Sequence, residues 1–197
     1  YGYCLCGGNP SPFKGEMNRA VFLDRDGTLI KDAHYLKDPA KVEVIEGVGE
    51  ALARIRKAGF LLFLHTNQSG IARGFYDWDD VRACNLKMLE MLELPENFFD
   101  ETCIAPEWPE KEDGYRKPSD RFEREMIDKR DLKPSECWMV GDKWIDAQTG
   151  LLAGMRAALV KTGKPIDNDI RSKAFASKVP IHANVLEFAE RELGLHE

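Results

Sequence analysis

The chain has 197 residues, of which 43% are hydrophobic and 31% charged, and its formal net charge is −6. That length suffices for one domain with a sizeable core, and the composition is typical of a soluble globular protein. The acidic balance disfavours a nucleic-acid-binding surface, and no apolar run approaches the roughly 20 residues that cross a bilayer. We therefore expect neither a nucleic-acid nor a membrane partner, although a local basic site for an anionic ligand is compatible with this charge.

The first 18 residues are rich in Gly and Pro and show no periodicity, which predicts an N-terminal arm over residues 1–18 and one domain over residues 19–197. The arm lacks the basic region followed by an apolar one that marks a secretory signal. Because the chain also has an odd number of cysteines, five, we expect a cytoplasmic protein with reduced thiols. Cys4 and Cys6 lie in the arm and are expected to be exposed.

Five short apolar runs follow in chain order, and each is too short for a helix and suits a buried parallel strand. They cover residues 20–23, 60–64, 102–105, 138–140 and 157–160. Amphipathic patterns lie between them: an apolar stripe at positions 48, 51, 52 and 55, a longer helix from near Asp77, and a third helix capped by Ser119. This alternation predicts an α/β fold with a doubly wound parallel sheet, whose ligand sits at the carboxyl ends of the strands.

The strongest chemical signal follows the first apolar run. Asp24 and Asp26 stand two residues apart at the end of that run, and Gly27 turns the chain immediately afterwards. At the mouth of the sheet, one carboxylate can attack a phosphorus atom, as in enzymes that form an aspartyl phosphate. The other can protonate the leaving oxygen and later take a proton from water. The pair alone also suits an ordinary Asp-Gly turn, so its spacing does not settle the chemistry.

Polar residues follow the second apolar run. Thr66, Asn67 and Gln68 offer a hydroxyl and two amides that can hold phosphoryl oxygens. Ser69 and Gly70 can add backbone N–H groups at a helix N-terminus. Taken alone, the segment also suits a polar loop with a helix cap.

Two later segments supply a cation and a third carboxylate. Lys117, which follows Arg116, can neutralise charge on a transferring phosphoryl group, although a solvated basic pair has the same appearance. Asp142 follows the fourth run and makes with Asp24 a hard oxygen site suited to Mg²⁺, although it also suits a helix N-cap. Because all these segments lie at the same end of the predicted sheet, we expect them to form one site.

The motifs DRDGT, TNQ, RKP and GDKxxD, in this order from residue 24 to residue 146, resemble those of the haloacid dehalogenase superfamily of phosphotransferases. The resemblance implies a phosphatase without a large cap domain, which hydrolyses a phosphomonoester through a phospho-aspartate with Mg²⁺. Residues 66–74 and 162–165 resemble in particular the phosphatases that remove the 7-phosphate from D-glycero-D-manno-heptose 1,7-bisphosphate. We therefore expect a small phosphorylated metabolite, a sugar bisphosphate, as the substrate, and we favour a monomer.

The resemblance also assigns roles. It makes Asp24 the nucleophile, Asp26 the general acid and base, and Thr66 and Lys117 the groups that stabilise the phosphoryl. Its magnesium ligands are Asp24, the backbone carbonyl of Asp26, and Asp142. Substrate contacts are assigned to two loops and two basic residues: Asp32, Ala33, His34, Tyr35, Asn67, Gln68, Ser69, Arg116 and Lys143. The two basic residues are expected to recognise the second phosphate.

One departure from the family pattern concerns a zinc-binding loop. Family members usually carry a Cys-x-His pair and a later Cys-x-Cys just before the Arg-Lys-Pro, whereas only Cys103 stands in that region here. A structural zinc site normally needs four nitrogen or sulfur ligands, so we expect no zinc. Cys4 and Cys6 can in principle join Cys103, but a fourth ligand is not evident. Of the histidines, His65 is expected to pack inside the second strand and His182 to lie on a solvated surface.

Three other functions stay open. Histidinol-phosphate phosphatases share the motifs, but residues 68–74 favour the heptose bisphosphate enzymes. A nucleic-acid 3′-phosphatase shares the catalytic plan, and the acidic charge weighs against it. An inactive binding module of the same fold would predict a damaged catalytic set, whereas every catalytic position is intact.

Overall fold

The computed structural model describes residues 19–108 and 114–196. Within these ranges the chain forms a six-stranded sheet in which every strand is parallel to its neighbours, in the order β3-β2-β1-β4-β5-β6. The strands are β1 (Ala20–Leu23), β2 (Leu61–Asn67), β3 (Glu101–Ala105), β4 (Trp138–Gly141), β5 (Arg156–Val160) and β6 (Ile181–His182). The predicted doubly wound α/β fold is confirmed, while the predicted arm lies outside the described residues.

The described ranges contain six α-helices, of which the first five connect consecutive strands and the sixth follows β6. They are α1 (Val48–Lys57), α2 (Trp78–Met91), α3 (Arg121–Arg130), α4 (Trp144–Leu152), α5 (Asn168–Ala176) and α6 (Val185–Leu193). Helix α1 buries Val48, Ala51, Leu52 and Ile55, the four positions of the predicted apolar stripe. Helix α2 begins directly after Asp77, whose carboxylate accepts hydrogen bonds from the first turn, as the sequence predicts.

Some predicted boundaries were wrong. Strand β2 runs to Asn67 rather than ending at Leu64, so that Thr66 belongs to the strand itself. Helix α3 follows Asp120 instead of the predicted cap Ser119, whose hydroxyl donates to the Gly114 carbonyl and accepts from the Arg121 N–H at 3.4 Å. No helix begins at residues 69–70, which lie in a turn that precedes α2.

The C-terminal part contains a strand that the sequence pattern did not indicate. Strand β6 has only two residues, too few for an apolar run or an alternation to be recognised. It pairs with the end of β5 and places His182 at 6% exposure. The prediction that His182 lies on a solvated surface was therefore wrong.

The sheet separates two apolar cores, which explains why its central strands are apolar throughout. Val21 and Leu23 of β1 face a core shared with α1, α2 and α6. Phe22 faces the opposite core, where it stacks on Phe63 and meets the edge of Phe122 from α3. No helix in the described ranges has the length and apolar character that a membrane crossing requires.

The path of the chain through the sheet determines where a ligand can bind. From β1 the chain moves outward to β2 and β3, and then returns to β4 on the other side of β1. In open parallel sheets the crevice outside the carboxyl ends of the strands at such a reversal is the usual ligand site. Asp24 follows β1 and Asp142 follows β4, so both residues lie at the carboxyl ends of the two strands between which the chain reverses.

Candidate active site

A cleft of about 330 Å³ opens at the carboxyl ends of the strands. It is lined by the carboxylates Asp24, Asp26, Asp32 and Asp146, the cations Arg25, Arg116, Lys117, Lys143 and Lys164, the polar residues His34, Tyr35, Asn67, Gln68, Ser69 and Tyr76, and the aliphatic residues Leu36 and Ile145. The structure thus brings together most of the predicted site residues. Thr66 and Asp142 are buried and do not line the open cleft, and Ala33 is exposed outside it.

Lys117 lies at the floor of the cleft and is almost completely buried. Its ammonium group is 2.8 Å from Asp24 Oδ1, 2.7 Å from Asp146 Oδ1 and 2.7 Å from the His65 carbonyl oxygen. Burial alone would lower the pKa of Lys117, but the carboxylates of Asp146 and Asp24 outweigh it and raise that pKa. Lys117 is therefore a fixed cation beside the Asp24 carboxylate.

Asp26 is held by three side chains. The Arg25 guanidinium, which is fully buried, donates to both Asp26 carboxylate oxygens at 3.1 Å. Gln68 Nε2 donates to Asp26 Oδ2 at 2.8 Å, and the Thr66 hydroxyl lies 3.4 Å from the same oxygen. Tyr76 in turn donates to Gln68 Oε1 at 2.7 Å, which fixes the orientation of the amide. The arrangement holds the carboxylate in one orientation at the edge of the cleft.

Asp142 has the chemistry of a metal ligand. Its Oδ2 accepts from the Lys164 backbone N–H at 2.8 Å, and its buried Oδ1 lies 3.2 Å from the Lys143 ammonium group. Burial, together with the nearby Asp24 and Asp146 carboxylates, raises the pKa of Asp142 to about 6, although Lys143 and the Lys164 N–H act against it. A divalent cation beside Asp142 would relieve this repulsion between the carboxylates.

The acidic cluster fits a small divalent cation. One oxygen from each of Asp24, Asp142 and Asp146 lies within 4.8 Å of the others. Asp146 uses Oδ1 for Lys117 and Oδ2 for the Lys143 backbone N–H, so its oxygens are already engaged. Asp24 and Asp142 each contact one lysine ammonium, and carboxylate oxygen is the donor type that Mg²⁺ prefers. Both belong to the ligand set expected from the motifs, and that ligand set stays a prediction.

Two glycines allow the loops after β1 and β5 to meet beside Asp142. Gly27 has a φ of +88°, and a Cβ there would lie 2.5 Å from Asp142 Oδ2. A Cβ on Gly163 would lie 2.1 Å from the same oxygen. The contact is reinforced by Thr162, whose hydroxyl donates to the Gly27 carbonyl at 2.7 Å. Any larger residue at either position would displace the carboxylate.

Asn67 faces the segment that carries Lys117. Its Nδ2 donates to the Lys117 carbonyl at 3.1 Å, and its Oδ1 accepts from the Lys117 N–H at 2.9 Å. The amide is therefore engaged with the backbone of Lys117. Gln68 is likewise engaged with Asp26 and Tyr76, so these two expected substrate contacts hold other site residues in place.

The outer part of the cleft carries several cations and one carboxylate. Arg116, Lys143 and Lys164 line it, and Asp32 lies 3.2 Å from Lys164 Nζ and 3.9 Å from Lys143 Nζ. Although burial acts to raise the pKa of Asp32, the His34 N–H and the two lysines lower it overall. The local excess of positive charge suits an anionic group of a substrate.

Several site residues were not among the predicted ones. Asp146 occupies the last position of the GDKxxD motif, and Lys164 belongs to the Thr162–Pro165 stretch, so motif spacing carried a signal for both. Arg25 and Tyr76 act through Asp26 and Gln68, and sequence spacing gives no indication of such contacts. Cys103 is buried in β3, and residues 109–113 of the loop that follows lie outside the described ranges, so the expected absence of zinc stays a prediction.

Comparisons with known proteins agree with this architecture. A family model described as HAD-hydrolase-like matches residues 114–188. A D-glycero-beta-D-manno-heptose-1,7-bisphosphate 7-phosphatase from Haemophilus ducreyi is 36% identical over 168 residues, which cover 79% of this chain and 90% of that protein. A D-glycero-D-manno-heptose-1,7-bisphosphate 7-phosphatase from Chlorobaculum tepidum is 35% identical over 161 residues, which cover 75% of this chain and 81% of that protein.

A solved structure shows the same fold. The D,D-heptose 1,7-bisphosphate phosphatase from B. bronchiseptica, complexed with magnesium and phosphate, superposes with a TM-score of 0.76 at 28% identity. The match covers 90% of this chain and 99% of that one. Fold and family model together define the class as haloacid dehalogenase-like hydrolases. By the identity and coverage of its relatives, the chain belongs to the heptose-1,7-bisphosphate 7-phosphatase family within that class.

Proposed function

We propose that the chain is a Mg²⁺-dependent phosphatase that removes the 7-phosphate from D-glycero-D-manno-heptose 1,7-bisphosphate. The observation that carries this proposal is the Asp24 carboxylate, which lies at the floor of the cleft against the buried Lys117 ammonium at 2.8 Å. A carboxylate in that position can attack phosphorus, while the adjacent cation stabilises the charge of the transferring group. The family relatives named above act on this bisphosphate, which identifies the substrate.

Asp24 acts as the nucleophile and Asp26 transfers the proton. Attack by an Asp24 oxygen forms a bond to phosphorus as the bond to the sugar oxygen breaks, and Asp26 protonates that oxygen. Water then attacks phosphorus of the phospho-aspartate and Asp26 accepts the proton that the water releases, while the bond between phosphorus and the Asp24 oxygen breaks, so that inorganic phosphate leaves and the Asp24 carboxylate is restored. Thr66 and Gln68 contribute by holding the Asp26 carboxylate in place.

Asp24, Asp142 and the backbone carbonyl of Asp26 would hold Mg²⁺. When bound, Mg²⁺ would neutralise the charge of the phosphoryl group and orient that group toward the nucleophile. Burial of Asp142 beside the Asp24 and Asp146 carboxylates, which raises the pKa of Asp142, supports this assignment. The Lys117 ammonium can contact the same phosphoryl group, and Asp146 holds that ammonium in position.

The outer cations bind the second phosphate. Arg116 can hold a phosphate with two N–H groups, and Lys143 and Lys164 add point charges nearby. Asp32, His34 and Tyr35 line the same cleft, where they can contact hydroxyl groups of the sugar. A histidinol phosphate has no second phosphate and carries a positive charge, so this basic rim favours the bisphosphate.

The comparison of two substrates tests the assignment. Purified protein with Mg²⁺ should have a much higher kcat/KM for the heptose 1,7-bisphosphate than for histidinol phosphate. Release of the 7-phosphate, rather than the 1-phosphate, is to be verified by phosphorus NMR of the product. A preference for histidinol phosphate, or release of the 1-phosphate, would refute the substrate assignment.

A further inference from the structure

A buried ion pair lies behind the active site, between β2 and α3. His65 and Glu123 have no exposed surface, and His65 Nδ1 lies 2.7 Å from Glu123 Oε1. The other ring nitrogen, Nε2, lies 2.8 Å from the carbonyl oxygen of Tyr115. The His65 ring also meets the edge of Phe122 and has Cys103 of β3 opposite it in the sheet.

The geometry suits a charged imidazole. A neutral imidazole has only one N–H, so one of its two nitrogens would face an oxygen acceptor with a lone pair. With Glu123 ionised, both partners of His65 are oxygen acceptors, and only the doubly protonated ring donates to both. In agreement, burial alone would lower the pKa of His65, but Glu123 and Cys103 outweigh it and raise the pKa to about 10.

The ion pair is connected to Lys117 through backbone carbonyl groups. The acceptor Tyr115 stands two residues before Lys117, and the His65 carbonyl oxygen accepts from Lys117 Nζ at 2.7 Å. Two residues further along β2, Asn67 hydrogen-bonds both the N–H and the carbonyl of Lys117. Strand β2 therefore holds the 114–117 segment through the side chains of His65 and Asn67 and through one backbone carbonyl.

We propose that the His65 imidazolium, kept doubly protonated by Glu123, is a positioning group that anchors residues 114–117 by donating to the Tyr115 carbonyl. In this position Arg116 and Lys117 both face the cleft. The inference rests on the proposed phosphatase function, in which these two cations bind the substrate's phosphates. His65 then contacts neither the substrate nor the metal, but it helps to fix the positions of Arg116 and Lys117.

Stability alone does not explain this pair. Removing two charges from water costs several kcal/mol per ion, and well-packed apolar residues often replace a buried ion pair without loss of stability. Glu123 Oε2 is buried and has no hydrogen-bond partner among the described residues, so part of that cost is not offset. A pair of this kind is therefore better explained by what it orients than by the stability it adds.

Three variants separate positioning from packing. His65→Leu/Glu123→Leu removes both charges and the donor but keeps an apolar core, and should retain its urea midpoint while kcat/KM for the heptose bisphosphate falls roughly tenfold or more. His65→Gln/Glu123→Leu restores an uncharged N–H donor near the Nε2 position and should recover most of that loss. The control Phe188→Leu changes the core on the opposite side of the sheet, to which no residue of the 114–117 segment belongs, and should lower stability while keeping kcat/KM.

Hydrogen exchange provides a readout that is independent of turnover. The amide groups of Tyr115 and Lys117, which donate to Glu107 and Asn67, should exchange faster in the double-leucine variant and slow again in the glutamine variant. Wild-type protein that fails to release phosphate would refute the proposed function, and the exchange comparison would still decide the positioning role. Unchanged exchange at these two amides in the double-leucine variant, or equal kcat/KM in an active enzyme, would overturn the inference.

Discussion

At the scale of single residues, the active site depends on how each carboxylate is compensated. Asp24 is paired with Lys117, Asp26 with Arg25, and Asp142 with Lys143. The three carboxylates differ in their surroundings: the first is held beside a buried cation, the second is oriented by a buried guanidinium, and the third is buried beside like charges that raise its pKa. Motif spacing predicts that these residues meet. The partner of Asp24 lies 93 residues away, whereas Asp26 and Asp142 each pair with a neighbour in the chain.

Asp146 positions Lys117, and its substitution should show this. Asp146→Asn keeps the size of the side chain but removes the negative charge 2.7 Å from Lys117 Nζ. We expect kcat/KM for the heptose bisphosphate to fall roughly tenfold to hundredfold, because the ammonium group loses a partner that fixes its position. Asp169→Asn on α5 removes an exposed i,i+4 ion pair with Lys173 and serves as the matched control. Equal activity in the two variants would contradict the role of Asp146.

Arg116 should discriminate between substrates. If it binds the second phosphate, Arg116→Ala loses an interaction worth about 1.5–3 kcal/mol for the bisphosphate but not for a simple phosphate monoester. That is a loss of roughly tenfold to hundredfold in kcat/KM for the bisphosphate alone. Lys117→Ala should depress the rates of both substrates. Comparable losses on both substrates for Arg116→Ala would eliminate the second-phosphate role.

At the scale of secondary-structure elements, strand β2 is longer than the sequence predicts and contributes additional residues to the site. The apolar run predicts a strand that ends at residue 64, but the hydrogen bonds to β3 continue through Asn67. The added residues alternate in direction, so that His65 faces α3 while Thr66 faces Asp26. Period and composition can predict that a strand exists, but the partner of His65 lies 58 residues away and depends on how α3 packs.

The His65–Glu123 pair should make stability depend on pH. The folded-state pKa of His65 is about 10, above the value of about 6.5 expected in the unfolded chain. Its contribution to the free energy of unfolding is therefore complete below about pH 6.5 and is lost as the pH rises through about 10, by at most about 1.4 kcal/mol per pH unit.

The double-leucine variant isolates this effect from other groups that titrate in the same range. Urea unfolding of the wild type and of His65→Leu/Glu123→Leu should give a stability difference that shifts in favour of the variant between pH 6.5 and pH 10. The groups facing the ring are Glu123 from α3 and Cys103 from β3, and only Glu123 changes in the variant. A difference that is constant across this range would contradict the charged state of His65.

At the scale of the whole molecule, the fold follows from the alternation of apolar runs and amphipathic stripes. That alternation was sufficient to predict the parallel sheet and the edge that carries the site. It did not predict β6, whose two residues carry no period, or the contact of the loops after β1 and β5 through Gly27 and Gly163. Long-range loop contacts depend on the completed sheet, so local sequence patterns contain little information about them.

Metal binding should stabilise the folded protein as a whole. Mg²⁺ at Asp24 and Asp142 binds only the assembled site, so it should raise the melting temperature in a concentration-dependent manner. Asp142→Asn removes one of the buried like charges, and the variant without metal should melt at the same or a higher temperature than the wild type. The same variant should lose the shift caused by Mg²⁺, together with activity. An unchanged shift would exclude Asp142 as a ligand.

The central claim is that Asp24 attacks phosphorus. The most direct test is the rate of phosphate release from the heptose 1,7-bisphosphate by Asp24→Asn at saturating Mg²⁺, with circular dichroism confirming an intact fold. We predict that kcat falls by at least about a thousandfold, because an amide cannot form the phospho-aspartate. Turnover by a folded Asp24→Asn protein at close to the wild-type rate would contradict the account.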